Sequence, residues 1–198
     1  MTEELAGIAA GPWALPLLFL LVLGDAFLVV VPGEAAVTAF GALSATTGSP
    51  PLGAVIAVAA VAAVAGDTCC YLVGRTVGLE RWRWMRTPRA RAAFGWARAR
   101  LGGRTGTVVF TARFIPFARL AVNLVAGATR VPAPRYAAVV AVAATAWAAY
   151  QALIGAVVAR ILPGGPIVAV VASIVVAVAL GLALDAVLSR VWRRDGAP

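Results

Sequence analysis

The chain contains no histidine, and that absence removes whole mechanisms. A histidine–metal site, a Ser–His–Asp triad and a histidine proton relay are all excluded, as is membrane phosphatase chemistry built on a histidine nucleophile. Lysine is absent too, so all 17 cations are arginine. Cysteine occurs only as the neighbours Cys69 and Cys70. Adjacent residues on a helix point about 100° apart and do not readily pair, so we read both as small apolar filler rather than a redox site. No metal and no resident cofactor is expected, and an enzyme is the class these absences favour least.

Polar surface is also scarce. Of 198 residues, 62% are hydrophobic, and the mean hydropathy is +0.93; a soluble domain of this length needs more polar area to cover its core. Several apolar runs are long enough to cross about 30 Å of hydrocarbon at roughly 1.5 Å per helical residue. The expectation is one all-α integral membrane domain over residues 1–198. The net charge of +9 would suggest nucleic acid in a soluble protein. Here the arginines cluster beside the apolar runs, where topology and anionic lipids govern them, so no nucleic-acid partner is expected. The N-terminal MTEEL lacks the basic start of a signal peptide, and the first apolar run is expected to stay in the mature protein.

Along the chain, residues 12–31 predict a first span, with Trp13 as interfacial anchor and Asp25 inside it. Pro32-Gly33-Glu34 interrupts the run, and residues 32–48 are too short to span comfortably, which suits a re-entrant segment. Residues 52–77 predict a span carrying Gly66-Asp67. Residues 80–104 form a basic segment with eight arginines. Its stripe Ala90, Phe94, Ala97, Leu101 resembles a short interfacial helix, with Trp82, Trp84 and Trp96 as headgroup-level aromatics; a solvated charged loop is the alternative. Residues 105–131 are apolar but hold Arg113, Pro116 and Arg119. One central arginine costs roughly 2.5–3.5 kcal/mol on insertion scales, which disfavours a lipid-facing span and favours a second hairpin. Residues 134–160 and 161–187 predict two more spans, and 188–198 a basic tail.

With both basic segments on the cytoplasmic side, the two hairpins enter from opposite faces and each precedes a full span. About four transmembrane helices, two opposed re-entrant hairpins and both termini in the cytoplasm follow. This is the outline of an inverted repeat, in which transporters place their site near the midplane.

The ionisable residues inside the membrane are Asp25, Glu34, Asp67, Arg113 and Arg119, with Arg75 two turns beyond Asp67. Such residues face a bundle interior, pair with one another or line a pathway. Three acids against two deep arginines would leave a carboxylate able to exchange a proton; static ion pairs that hold the hairpins are the competing reading. Arg130 and Arg135 read as boundary residues. Pro32 and Gly33 break a helix beside Glu34, and Pro116 breaks one between the arginines. Half-helix N-termini and guanidinium forks suit the oxygens of a lipid phosphate.

These residues resemble a known family. Pro32-Gly33-Glu34 with Asp25 nine residues before Glu34, GDTCCYLVGRTVG at 66–78, and FTARFIPFARLAVNLVAG at 110–127 are similar to the three signatures of the DedA family, the bacterial branch of the SNARE-associated or VTT-domain membrane proteins. The resemblance implies opposed re-entrant hairpins, a bacterial inner-membrane location and lipid translocation. It places the family's essential acids on Asp25 and Glu34 and its essential arginines on Arg113 and Arg119. Gly66, Asp67, Tyr71, Gly74 and Arg75 match the middle signature, and Gly127 closes the third. The family usually carries Glu where this chain has Asp25 and proline where it has Val30.

The resemblance implies, as the leading expectation, a transporter that returns polyprenyl phosphate from the outer to the inner leaflet; the residues themselves supply a buried cationic site opposite buried acids. Arg113 and Arg119 would hold the phosphate, and Glu34, with Asp25 or Asp67, would gate or exchange protons. Pro32, Gly33, Gly66, Tyr71, Gly74, Arg75, Pro116 and Gly127 would support them. A non-selective phospholipid scramblase, a proton-coupled ion or solute transporter, and a structural protein remain as alternatives. Small-residue faces at 57–65 and 141–149 permit an oligomer.

Overall fold

The computed structural model describes residues 11–27, 33–112 and 116–161, with single positions at 168, 171, 172 and 175. Pro32, Arg113, all but five positions of the expected span 161–187, and the basic tail lie outside the described residues. Among those described, all regular structure is helical. Six α-helices follow in order: α1 (Ala14–Asp25), α2 (Gly33–Thr47), α3 (Leu52–Val77), α4 (Pro88–Ala112), α5 (Pro116–Ala128) and α6 (Ala133–Ile161), with a 3₁₀ turn at Arg83–Arg86 before α4.

Local chemistry sets most of the boundaries. Gly48, at φ +75°, ends α2 in a conformation that L side chains rarely adopt, and Pro50-Pro51 precede α3. Gly78, at φ +79°, ends α3 in the same way. α4 opens with Thr87, whose hydroxyl accepts from the Ala90 N–H at 3.3 Å, followed by Pro88 in the first helical position. α5 opens on Pro116 and closes with left-handed Arg130, the Val131 N–H reaching back to the Ala126 carbonyl at 3.0 Å.

Lengths then separate the helices. α3 and α6 have 26 and 29 residues and are apolar enough to cross a membrane. α1, α2 and α5 have 12, 15 and 13 residues, about 18–22 Å at 1.5 Å per residue, which is short of a hydrocarbon core. α4 runs unbroken from Pro88 to Ala112, so the basic segment and the first limb of the expected second hairpin are one helix.

The stripe expected to lie among lipid headgroups does not. Phe94, Ala97 and Leu101 are buried in the same apolar cluster as Met85, Val122 and Val125. A one-sided apolar stripe reveals only that it needs a cover, and here protein supplies it. Arg89, Arg91 and Arg98 remain exposed on the other faces of α4.

The six helices form two chain-consecutive triplets, α1–α2–α3 and α4–α5–α6, that exchange partners. α2 packs on α6, and α5 packs on α3. Both crossings are made by paired glycines with the same spacing. A Cβ on Gly74 would collide with the carbonyl of Leu124, three residues before Gly127, and one on Gly127 would collide with the carbonyl of Tyr71, three before Gly74. In the other crossing a Cβ on Gly155 meets the carbonyl of Thr38, three before Gly41, and one on Gly41 meets that of Ala152, three before Gly155. Two helix pairs in different halves of the chain thus use one contact rule. The physical reason is that only glycine lets backbones approach this closely. The two crossings sit in separate apolar clusters, one around Tyr71, Leu124 and Tyr136, the other around Val37, Trp147 and Ala152.

Candidate functional site

Three helix ends meet the middle of α3. Asp25 closes α1 on the buried stripe that it shares with Ala14, Leu18 and Val22. Glu34 lies in the first turn of α2. Arg119 lies in the first turn of α5, and Asp67 sits inside α3. Asp25, Asp67 and Arg119 are 8%, 3% and 8% exposed, so their charges are compensated within the protein rather than by solvent.

Arg119 is the hub. Its Nη2 donates to the Asp25 carboxylate at 3.0 Å and to the Asp25 main-chain carbonyl at 2.8 Å. The second contact caps the C-terminal end of α1 with a cation, where the helix dipole favours one. Nε lies 3.9 Å from Oδ1 of Asp67, an ion pair too long to be a hydrogen bond, and this buried N–H makes no hydrogen bond among the described residues. Glu34 is partly buried, within electrostatic reach of Asp25 and Arg119.

The neighbouring glycines explain how these groups come so close. A Cβ on Gly33 would sit 2.8 Å from Asp25 Cβ and 2.9 Å from its Cγ, so α2 begins directly against that carboxyl group. One on Gly66 would collide with Ala26 Cβ, so the end of α1 presses on α3 beside Asp67. Cys70, one turn on, is buried with its Sγ 3.5 Å from the Ala26 carbonyl; Cys69 is exposed, and no disulfide links the two.

The remaining sequence-predicted residues act at one remove. The Tyr71 hydroxyl donates to the Val131 carbonyl and accepts from Arg75 Nη1 at 2.7 Å. The Tyr71 ring stacks on Tyr136 at 4.3 Å between centroids, and the Tyr136 hydroxyl donates to the Asp67 carbonyl at 2.9 Å. Together with the Gly74–Gly127 crossing, this network ties α3 to the α5–α6 connection and sets the height of Asp67 against Arg119. Arg75 reaches the tyrosine pair rather than the central cluster. Pro116 begins α5, three positions before Arg119. Arg113 and Pro32 lie outside the described residues.

Several participants were missed from sequence. Thr38 and Gln151 form a buried contact of 3.1 Å across the α2–α6 crossing, and the Thr38 hydroxyl also lies 2.9 Å from the Glu34 carbonyl. Tyr150 is in electrostatic reach of Glu34, and Asn123 is buried one turn after Arg119. A signal was available, since an amide such as Gln151 inside a long apolar run needs a partner.

Against this geometry stand the comparisons with known proteins. A family model described as the VTT domain matches residues 31–157, a span that contains Glu34, Asp67 and Arg119 and both glycine crossings. Searches of curated proteins and of solved structures returned no match.

Proposed function

The chain belongs to the VTT-domain family that defines the DedA and SNARE-associated membrane proteins, and from that premise we propose that it carries polyprenyl phosphate from the outer to the inner leaflet of a bacterial inner membrane, coupled to protons. The observation that carries this reading is the buried Arg119, held between Asp25 and Asp67 where three helix ends converge.

The chemistry runs through competition for the guanidinium. Arginine binds carboxylate and phosphate oxygens through the same planar fork, so an arriving lipid phosphate contends with Asp25 for Nη2. Protonating Asp25 weakens its hold on Arg119 and frees that face for the phosphate; deprotonation restores the pair and expels the anion. Even with Arg113 counted as a second cation, the carboxylates of Asp25, Glu34 and Asp67 outnumber the guanidiniums. An anion therefore enters the cluster most readily with protons. Substrate release and proton release are then one exchange.

The same proposal includes the topology. Residues 12–31, α3, α6 and residues 161–187 cross the membrane, residues 32–48 and 105–131 enter as re-entrant segments from opposite faces, and both termini are cytoplasmic. The protein works as a transporter rather than an enzyme.

Reconstituted liposomes test this. We expect flipping of a short-chain polyprenyl phosphate that is faster than that of labelled phosphatidylcholine and is lost in folded Arg119→Lys and Glu34→Gln variants. Equal movement of both lipids would replace the selective flippase with a scramblase. No lipid movement from a folded protein would reject both.

A further inference from the structure

A cavity lies away from the central cluster, where the chain turns from α3 into α4. The turn is held in place by several bonds. Arg86 Nε donates to the Glu80 carbonyl at 2.7 Å, the Met85 N–H reaches the Trp82 carbonyl at 3.1 Å, and Thr87 caps α4. Met85 is fully buried beneath it. Between this turn and α4 lies a cavity of about 220 Å³.

Its lining is two-sided. Leu79, Met85 and Phe94 provide an apolar wall, Arg91 and Arg98 provide two guanidiniums, and Glu80 adds one carboxylate. Both arginines are exposed and stand seven residues apart, on one face of α4. Gly95 lies between them, and a Cβ there would meet nothing within 4 Å. The backbone is therefore open to a ligand at the position that two cations flank. The surrounding surface adds exposed Arg81, Arg83, Arg86 and Arg89, so an anion is drawn to this face.

We propose that this cavity binds an anionic phospholipid headgroup, its phosphodiester between Arg91 and Arg98 and its glycerol shoulder against Leu79 and Phe94, with Met85 as the floor behind them. Glu80 selects within that class. It accepts a hydrogen bond from a headgroup hydroxyl, and it repels the second charge of a phosphate monoester. Phosphatidylglycerol therefore fits better than phosphatidic acid or polyprenyl phosphate. The site is peripheral, distinct from the buried Arg119 cluster, and does not depend on the transport reading. It anchors the α3–α4 turn to an anionic leaflet.

Native mass spectrometry of the full-length protein, released from detergent with defined lipids added, tests this. We expect phosphatidylglycerol to be retained about tenfold over phosphatidylcholine, as loss of one or two charge-assisted contacts implies. The double variant Arg91→Gln/Arg98→Gln removes that preference. Gly95→Leu, which fills the cavity and leaves every charge in place, removes it independently. Arg81→Gln/Arg83→Gln, which removes the same charge outside the cavity, keeps it, and so does Arg119→Met, which abolishes transport. Glu80→Gln narrows the preference for phosphatidylglycerol over phosphatidic acid. An equal loss in the two arginine double variants would overturn the proposal in favour of diffuse attraction. So would a folded Gly95→Leu protein that binds as the wild type does. Competition by free glycerol phosphate at the lipid's own concentration would also overturn it, since the apolar wall would then contribute nothing.

Discussion

Replacing Arg119 by Met probes the cluster most directly, because the guanidinium is the one described cation among three carboxylates. Methionine keeps most of the apolar stem and removes the charge. The substitution breaks two hydrogen bonds to Asp25, at 3.0 and 2.8 Å, and the 3.9 Å pairing with Asp67. It also leaves Asp25 and Asp67 in a buried site with their main cation gone. Removing one partner of a buried pair costs about 3–5 kcal/mol, most of it the uncompensated charge rather than the lost attraction. That makes a double-mutant cycle decisive. Asp25→Asn alone keeps a neutral acceptor for Nη2 and costs less than Arg119→Met. In the Arg119→Met background, the same Asp25→Asn change removes a stranded charge and restores part of the stability. We expect a coupling energy of about 1.5–3 kcal/mol, the range for hydrogen bonds to charged groups. Reversible denaturant unfolding of the detergent-solubilised protein, followed by tryptophan fluorescence, measures all four corners; the buried Trp147 lies in the core and reports on it. A coupling below about 0.5 kcal/mol would refute the reasoning, because it would mean that Arg119 and Asp25 do not sense each other in the folded protein.

Three further expectations follow from the packing. Gly74→Leu and Gly155→Leu each force the backbones of a close helix crossing apart, so each destabilises by about 3 kcal/mol or more, whereas Gly95→Leu on an open face of α4 costs nothing and gains up to about 1 kcal/mol of helix propensity; the same unfolding assay ranks them. Gly78→Ala loses about 1–3 kcal/mol, because Gly78 sits at φ +79° and ψ −169° where a Cβ is strained, while Gly95→Ala gains up to about 1 kcal/mol; melting temperatures should move in opposite directions. Thr38→Val alone strands the Gln151 amide and costs about 1–3 kcal/mol, and adding Gln151→Leu recovers most of it; a double variant less stable than either single one would show that the pair is more than a satisfied buried contact.

Composition and hydropathy were enough to place this chain in a membrane and to exclude histidine chemistry, because both depend only on which residues are present. The ends of α2 at Gly48 and of α3 before Gly78, and the break at Pro116, were legible for a similar reason, since glycine and proline act on their own backbone. Asp25, Glu34, Asp67 and Arg119 stood out because charge in an apolar run is costly wherever it ends up. What the sequence could not contain is who compensates whom. Arg119 pairs with Asp25 across 94 positions, and only the meeting of α1, α2 and α5 on α3 decides that. The stripe Ala90–Leu101 shows the same limit from the other side. Its periodicity demanded an apolar cover, and tertiary structure supplied protein where lipid was expected. The glycines divide in the same way. Gly48 and Gly78 answer to a dihedral angle that a turn imposes locally, whereas Gly33, Gly74 and Gly155 answer to an atom of another helix, and a contact between distant segments leaves no mark on either segment alone.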